Sequence, residues 1–179
     1  MRIISGAARG RRLAAPPGSG TRPTADRARE GLFNVVMTDV KDARWLDLYA
    51  GSGAVGLEAL SRGAAEAVLV ESNPRAASVI RENIARVGLP GARLVAAPVE
   101  RYLAGEPRPF DVVFADPPYA AEVDKTLYAL YDGRWLAPDA LIVVERATRS
   151  GELTWPEGYE AIKSRKYGEA TFWYGRPAT

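Results

Sequence analysis

The sequence predicts an α/β fold: an open, mostly parallel sheet of about seven strands with an antiparallel C-terminal hairpin and helices on both faces. Three observations carry that prediction. From Arg44 onward, short apolar runs alternate with amphipathic helical stretches, the pattern of strand–crossover–strand units. Those runs are mostly apolar rather than strictly alternating, as befits strands buried on both faces. The last two candidate strands are separated only by Gly168-Glu169, too little for a crossover helix, so they must pair antiparallel.

The elements follow in order. The first 25 residues are rich in Gly, Arg and Pro, and Ala15 to Gly20 (APPGSG) reads as loop. Thr24 or Asp26 is a candidate cap for a helix through Ala28, Leu32, Phe33 and Val36. Trp45–Tyr49 reads as a buried strand, followed by a Gly-rich turn and a helix over Ala54–Ser61. Ala67–Glu71 is a second strand, and a helix from near Pro74 carries Ala76, Val79, Ile80, Ile84 and Val87 on one face. Arg93–Ala97 is a third strand, with a short helix over Val99–Leu103. Phe110–Ala115 is the fourth, ending in a Pro-Pro turn; Lys125–Tyr131 reads as helix and Ala140–Glu145 as the fifth strand. Tyr159–Tyr167 and Ala170–Tyr174 form the hairpin. The division expected is a basic N-terminal segment and helix over 1–40, packed on a main domain over 41–179.

Composition narrows the chemistry. The 179 residues include neither Cys nor His, which excludes disulfides, thiolate nucleophiles, a Ser-His-Asp triad and Cys/His zinc sites. No metal site is expected. No run approaches a membrane span, and the start lacks the apolar stretch of a signal peptide, so the expectation is a cytoplasmic protein without a membrane partner, monomeric by default. The net charge is only +2, but residues 1–34 hold seven Arg against Asp26 and Glu30. The remainder is mildly acidic. A basic arm on such a body suits phosphate contacts, and Arg rather than Lys favours forked ones. The other reading is that the segment docks on the sheet and its Arg heads only snorkel.

Two motifs carry the functional reading. In Leu46–Leu60 (LDLYAGSGAVGLEAL) a strand runs through Gly51-Ser52-Gly53 into a helix, a turn that lets backbone approach a ligand. A side chain at Gly51 or Gly53 would fill the space where backbone meets ligand. Glu71 ends the next strand, where a carboxylate can accept from ribose hydroxyls. Gly51, Gly53 and Gly56 also fit a dinucleotide fingerprint, so NAD or FAD stays open on this motif alone. Asp47 tilts the choice, because an acid there can pair with the ammonium of an amino-acid-like ligand. The second motif is Asp116-Pro117-Pro118-Tyr119, at the carboxyl end of a strand expected to lie beside the first. An exocyclic amine on a nucleobase is a poor nucleophile, since its lone pair is delocalised into the ring. The Asp116 carboxylate and the Pro117 carbonyl can hold its N–H bonds so that the lone pair points at an electrophilic methyl, and Tyr119 offers a stacking face.

Together these motifs resemble the class I (Rossmann-like) S-adenosylmethionine-dependent methyltransferases that modify exocyclic amines. Arg2–Leu13 (RIISGAARGRRL) and Thr21–Val36 (TRPTADRAREGLFNVV) are similar to one branch, the bacterial small-subunit (16S) ribosomal RNA guanine-N2 methyltransferases of the RsmD type, over essentially the whole chain. The resemblance implies methyl transfer from S-adenosylmethionine to N2 of a guanine in small-subunit ribosomal RNA, free or within a partly assembled 30S subunit. It implies Asp47, Gly51 and Gly53 at the methionine end of the cofactor, Glu71 at the ribose and Ala97, Pro98 and Val99 near the adenine. Tyr49, Ala50, Ser52 and Ser72 complete that set. An acidic residue often found in the adenine region is not present at Ala97. Asp116, Pro117, Pro118 and Tyr119 would take the target base, and Arg9, Arg11, Arg12, Arg22, Arg27 and Arg29 the RNA. The competing readings are adenine-N6 transfer on DNA or RNA, transfer to a glutamine amide, a nicotinamide oxidoreductase, and a non-catalytic RNA-binding module. The Pro-Pro turn argues against the oxidoreductase, and intact Asp116 and Tyr119 argue against the last.

Overall fold

The computed structural model describes residues 1–17 and 23–179. Its centre is β1 (Arg44–Leu48), whose residues from Trp45 to Leu48 are all buried, as a strand covered on both faces requires. On one side β2 (Glu66–Val70) and β3 (Ala92–Val95) pair with it in parallel; on the other come β4 (Phe110–Ala115) and β5 (Leu136–Ala147). Then β7 (Ala170–Pro177) runs antiparallel to β5, with β6 (Tyr159–Tyr167) at the edge, giving the order β3-β2-β1-β4-β5-β7-β6. The chain leaves β1 toward β2 and later returns to the other side of β1 as β4. The carboxyl ends of β1 and β4 therefore flank the crevice where the winding reverses.

Helices cover both faces. One apolar cluster joins α1 (Pro23–Val35), α3 (Ala54–Ser61) and α4 (Pro74–Val87) to the sheet. The other lies under α5 (Val99–Leu103) and α6 (Ala120–Asp132). A short α2 (Met37–Val40) links α1 to β1. α4 starts where its chemistry says it should: the Asn73 side chain accepts from the N–H groups of Arg75 and Ala76, and Pro74 fills the first turn.

Several boundaries differ from the sequence expectation. α1 begins at Pro23, so Asp26 lies inside its first turn rather than at the cap. Tyr49 is outside β1, in a left-handed conformation with φ of 59°. α6 starts at Ala120, directly after the Pro-Pro turn, because Val123, Thr126, Leu127 and Leu130 form its buried stripe. β5 is longer at both ends, from Leu136 to Ala147; a register shift opposite Phe110–Val112 admits Pro138 into it.

The N-terminal segment is part of this body. Ile3, Ala8 and Leu13 are buried in the first cluster, and Arg2 and Arg12 bridge across a tight loop. The loop is held by Glu58, which is fully buried on α3. Its carboxylate accepts from the N–H groups of Ile4 and Ser5 at 2.8 and 3.0 Å. It also pairs with Arg62 at 2.8 Å and Arg29 at 3.5 Å. Ser61 and Asn83 add further bonds to Ser5, Ala8 and Ala14. A buried carboxylate satisfied this fully ties residues 1–14 to the core.

Candidate active site at the carboxyl edge of the sheet

The strand ends of β1, β2, β4 and β5 open onto two cavities separated by the Asp116–Tyr119 turn. The larger, about 1060 Å³, is lined by Ala25, Ala28 and Arg29 of α1, by Ala54 and Val55, by Asp116–Pro118, and by the segment Glu145–Ser150 with the β6–β7 turn. The smaller, about 230 Å³, is lined by Tyr49, Glu71, Ser72, Pro98, Val99, Pro118, Tyr119 and Glu122, among others. Pro118 borders both. Two fixed φ angles in succession hold this partition rigid.

The Gly-rich turn passes from β1 toward α3 beside these cavities. Gly51 has φ of 60°, and a Cβ built on it would meet nothing within 4 Å, so it would project into open space. That is a cradle a side chain would fill. Gly53 is constrained differently. Its φ is 80°, and its Cβ would press inward on Leu69 at 3.3 Å and Ile80 at 3.4 Å, not into ligand space. Glu71 holds the turn from the next strand, accepting from the N–H of Gly51 at 2.8 Å and that of Asn73 at 2.9 Å. The Ser52 carbonyl accepts from Asn83, its hydroxyl accepts from the N–H of Ala54, and Ala50 donates to Val70. Tyr49, despite its left-handed backbone, anchors its hydroxyl 2.8 Å from that of Thr126. A bulky residue in that region costs on the order of 1–3 kcal/mol and survives where its surroundings fix it, often at binding sites.

Asp47 corrects the expectation of a carboxylate open to a cationic ligand group. It is 1% exposed, and its Oδ2 accepts from the N–H of Gly56 at 3.0 Å. Burial pushes its pKa well above the carboxylate range, opposed by that bond. The acid shapes the turn from beneath.

Asp116 is exposed at the cavity, and the protein packed around its carboxyl nonetheless raises its pKa to about 6, with the Arg146 charge holding it down. Arg146 also donates to the Pro117 carbonyl at 3.2 Å. Tyr119 is 71% exposed, its ring free at the rim of the smaller cleft. Beside Asp116 stands a residue the sequence reading missed. Ala115 pairs with Val144, so Glu145 is the next position along on β5 and lines the same cavity. Its pKa is raised to about 8, by burial first and then by the charges of Asp116 and Asp47. The available signal was an acid ending a buried apolar strand at the ligand edge. Arg146 escaped the reading because β5 runs on to Ala147, past the strand end expected at Glu145.

The arginines divide. Arg29 is not an exposed RNA contact: it is 5% exposed, pairs with Glu58 and Asp26, and donates to the Arg2 carbonyl. Arg11 is also engaged within the protein, donating to the carbonyls of Arg86 and Val87 at the end of α4. Arg9, Arg12 and Arg27 are exposed and form no ion pair among the described residues. Arg22 lies outside the described residues.

The chain is also similar to known proteins. Residues 1–176 match the family described as Conserved hypothetical protein 95. It is 40% identical over 173 residues to the Ribosomal RNA small subunit methyltransferase D of Escherichia coli (strain K12), covering 96% of this chain and 87% of that one. The Haemophilus influenzae protein of the same name is 34% identical over 178 residues, covering 96% and 91%. A solved Escherichia coli structure, described as a candidate methyltransferase yhhF, superimposes with a TM-score of 0.90 at 38% identity, covering 100% of this chain and 99% of that one.

Proposed function

This chain belongs to the RsmD-type family, and from that premise we propose that it transfers a methyl group from S-adenosylmethionine to the exocyclic N2 of a guanine in small-subunit ribosomal RNA. The observation that carries this reading is the Asp116–Tyr119 turn standing between two cavities, one large enough for a base and one fit for a nucleoside end. The open space over Gly51 and the carboxylate of Glu71 suit S-adenosylmethionine, with Tyr49, Ser72, Pro98 and Val99 around the nucleoside portion. Bound there, the cofactor supplies an electrophilic methyl on a sulfonium.

The protein's own work is orientation. Asp116 is mostly ionised at neutral pH, with its pKa near 6, and accepts from one N–H of the target amine. The Pro117 carbonyl has a second lone pair beyond the bond from Arg146, and accepts from the other. Those two acceptors turn the nitrogen lone pair toward the methyl and hold it at reacting distance. Tyr119 stacks on the extruded base, an interaction worth about 1–3 kcal/mol. Arg9, Arg12 and Arg27 are available for phosphates.

The test is to incubate a small-subunit ribosomal RNA transcript with the protein and S-adenosylmethionine, then identify nucleosides by mass spectrometry. N2-methylguanosine is expected. N6-methyladenosine instead would overturn the base assignment, and tight NADH binding without S-adenosylmethionine binding would overturn the reaction class.

A further inference from the structure

Two of the sequence's candidate arginines are engaged by the protein itself, Arg29 buried against Glu58 and Arg11 on carbonyls at the end of α4, so other cations are needed to hold RNA on either side of the base. The sheet edge supplies other cations. β6 is exposed along its middle, where Lys163, Arg165 and Lys166 fall within four positions; Glu160 and Glu169 lie at its two ends. None of the three cations forms an ion pair among the described residues, and Arg165 donates only to the carbonyl of Ser164.

Register says which way they face. Lys163 lies opposite Tyr174 and Arg165 opposite Phe172, and both aromatics belong to the apolar cluster under α1. Directly opposed residues of an antiparallel pair share a face. Lys163 and Arg165 therefore project on the α1 side. Lys166 lies opposite Thr171, which in turn lies opposite Arg146 of β5, so these three form one row across the other face. Two strand spacings, about 10 Å, separate its cationic ends.

This surface runs to the mouth of the larger cavity. The Tyr167 ring packs so tightly on α1 that a Cβ on Gly31 would come within 2.3 Å of it. Arg27 is one turn earlier on the same helix face, and Ala25, Ala28, Gly168 and Glu169 line the cavity between helix and hairpin. Exposed Arg149 lines it from the end of β5.

Resting on the reading that the substrate is RNA, we propose that Lys163, Arg165 and Lys166 of the edge strand, with Arg149 and Arg27, hold the phosphate backbone flanking the base that enters the cavity. A run of cations on both faces of one exposed edge can follow an irregular single strand, which a flat patch cannot. Its location explains how a chain of small net charge keeps long-range attraction beside the catalytic turn.

The test uses the full-length protein and a small-subunit ribosomal RNA transcript, with affinity measured from 50 to 200 mM salt. Lys163→Gln/Arg165→Gln/Lys166→Gln should weaken binding about 10-fold and lower the log–log salt slope by up to about 2, at roughly 0.7 per single-strand phosphate contact. S-adenosylmethionine affinity and Tm should not move, because the three side chains are exposed. Lys163→Arg/Lys166→Arg should bind as wild type does. An unchanged slope and affinity in the glutamine triple would overturn the proposal. So would a triple that self-associates but keeps its slope, which would assign the charges to guarding the open edge. A wild-type protein with no salt-dependent binding to the transcript would overturn the RNA reading itself.

Discussion

The two basic regions of the molecule differ in how much of their charge is engaged within the protein. At the N-terminus, Arg11 caps the carbonyl end of α4 and Arg29 sits beside buried Glu58, so these guanidinium groups hold a loop to the core. At the other end of the chain, Lys163, Arg165 and Lys166 stand exposed on an edge strand and form no ion pair among the described residues. Density of arginine in sequence is therefore a poor guide to which cations are left unpaired. What decides is whether a buried acid or an orphan carbonyl lies within reach.

The contrast breaks first at Glu58. Glu58→Ala leaves Arg29 buried without its main partner and two backbone N–H groups unbonded. Loss of a buried paired charge costs about 3–5 kcal/mol. For a chain of this size that is a fall in Tm of roughly 6–20 °C, read by thermal unfolding. A Tm within 2 °C of wild type would make the N-terminal loop an appendage after all.

A paired substitution sharpens the comparison further. Arg11→Ala should cost about 1 kcal/mol by freeing the carbonyls of Arg86 and Val87, and leave the salt slope of RNA binding unchanged. Arg12→Ala should do the reverse, lowering the slope by about 0.7 with no change in Tm. Equal behaviour of the two neighbours in either assay would contradict the division.

A pH-dependent effect of similar size lies in the cavity between the two regions. Glu145 has its pKa raised to about 8 in the folded protein, by burial and by Asp116, against about 4.3 in an unfolded chain. The native state thus binds the extra proton in between. The stability this contributes is full below about pH 4 and is lost as pH rises through 8. Glu145→Gln should remove that dependence and exceed wild type by roughly 1 kcal/mol above pH 8, a gain of about 2–4 °C in Tm. Parallel Tm-against-pH curves for the two proteins would refute it.

Much of this was legible from residue order because it depends on local pattern. Mostly apolar runs give the parallel strands, Gly168-Glu169 forces the hairpin, and the two motifs fall at the ends of neighbouring strands where ligands bind. What was not legible depends on contacts made far along the chain. Glu58 meets Ile4 and Ser5 more than fifty positions away. Glu145 stands beside Asp116 only because β4 and β5 pair in that register. Asp47 had the right position for a ligand contact, but the turn above it folds so that Gly56 takes its carboxylate. Arg29 and Arg27 differ by two helical positions, enough to put one against α3 and the other in solvent.

In the proposed reaction Asp116 orients the target amine from a partition between two cavities. That role is tested most directly by single-turnover methyl transfer to small-subunit ribosomal RNA with Asp116→Ala, alongside calorimetric titration of S-adenosylmethionine. The account predicts a rate at least about 100-fold lower, with cofactor affinity within about twofold of wild type, since the carboxyl faces the larger cavity rather than the cleft beside Glu71. Transfer at a near wild-type rate would contradict it.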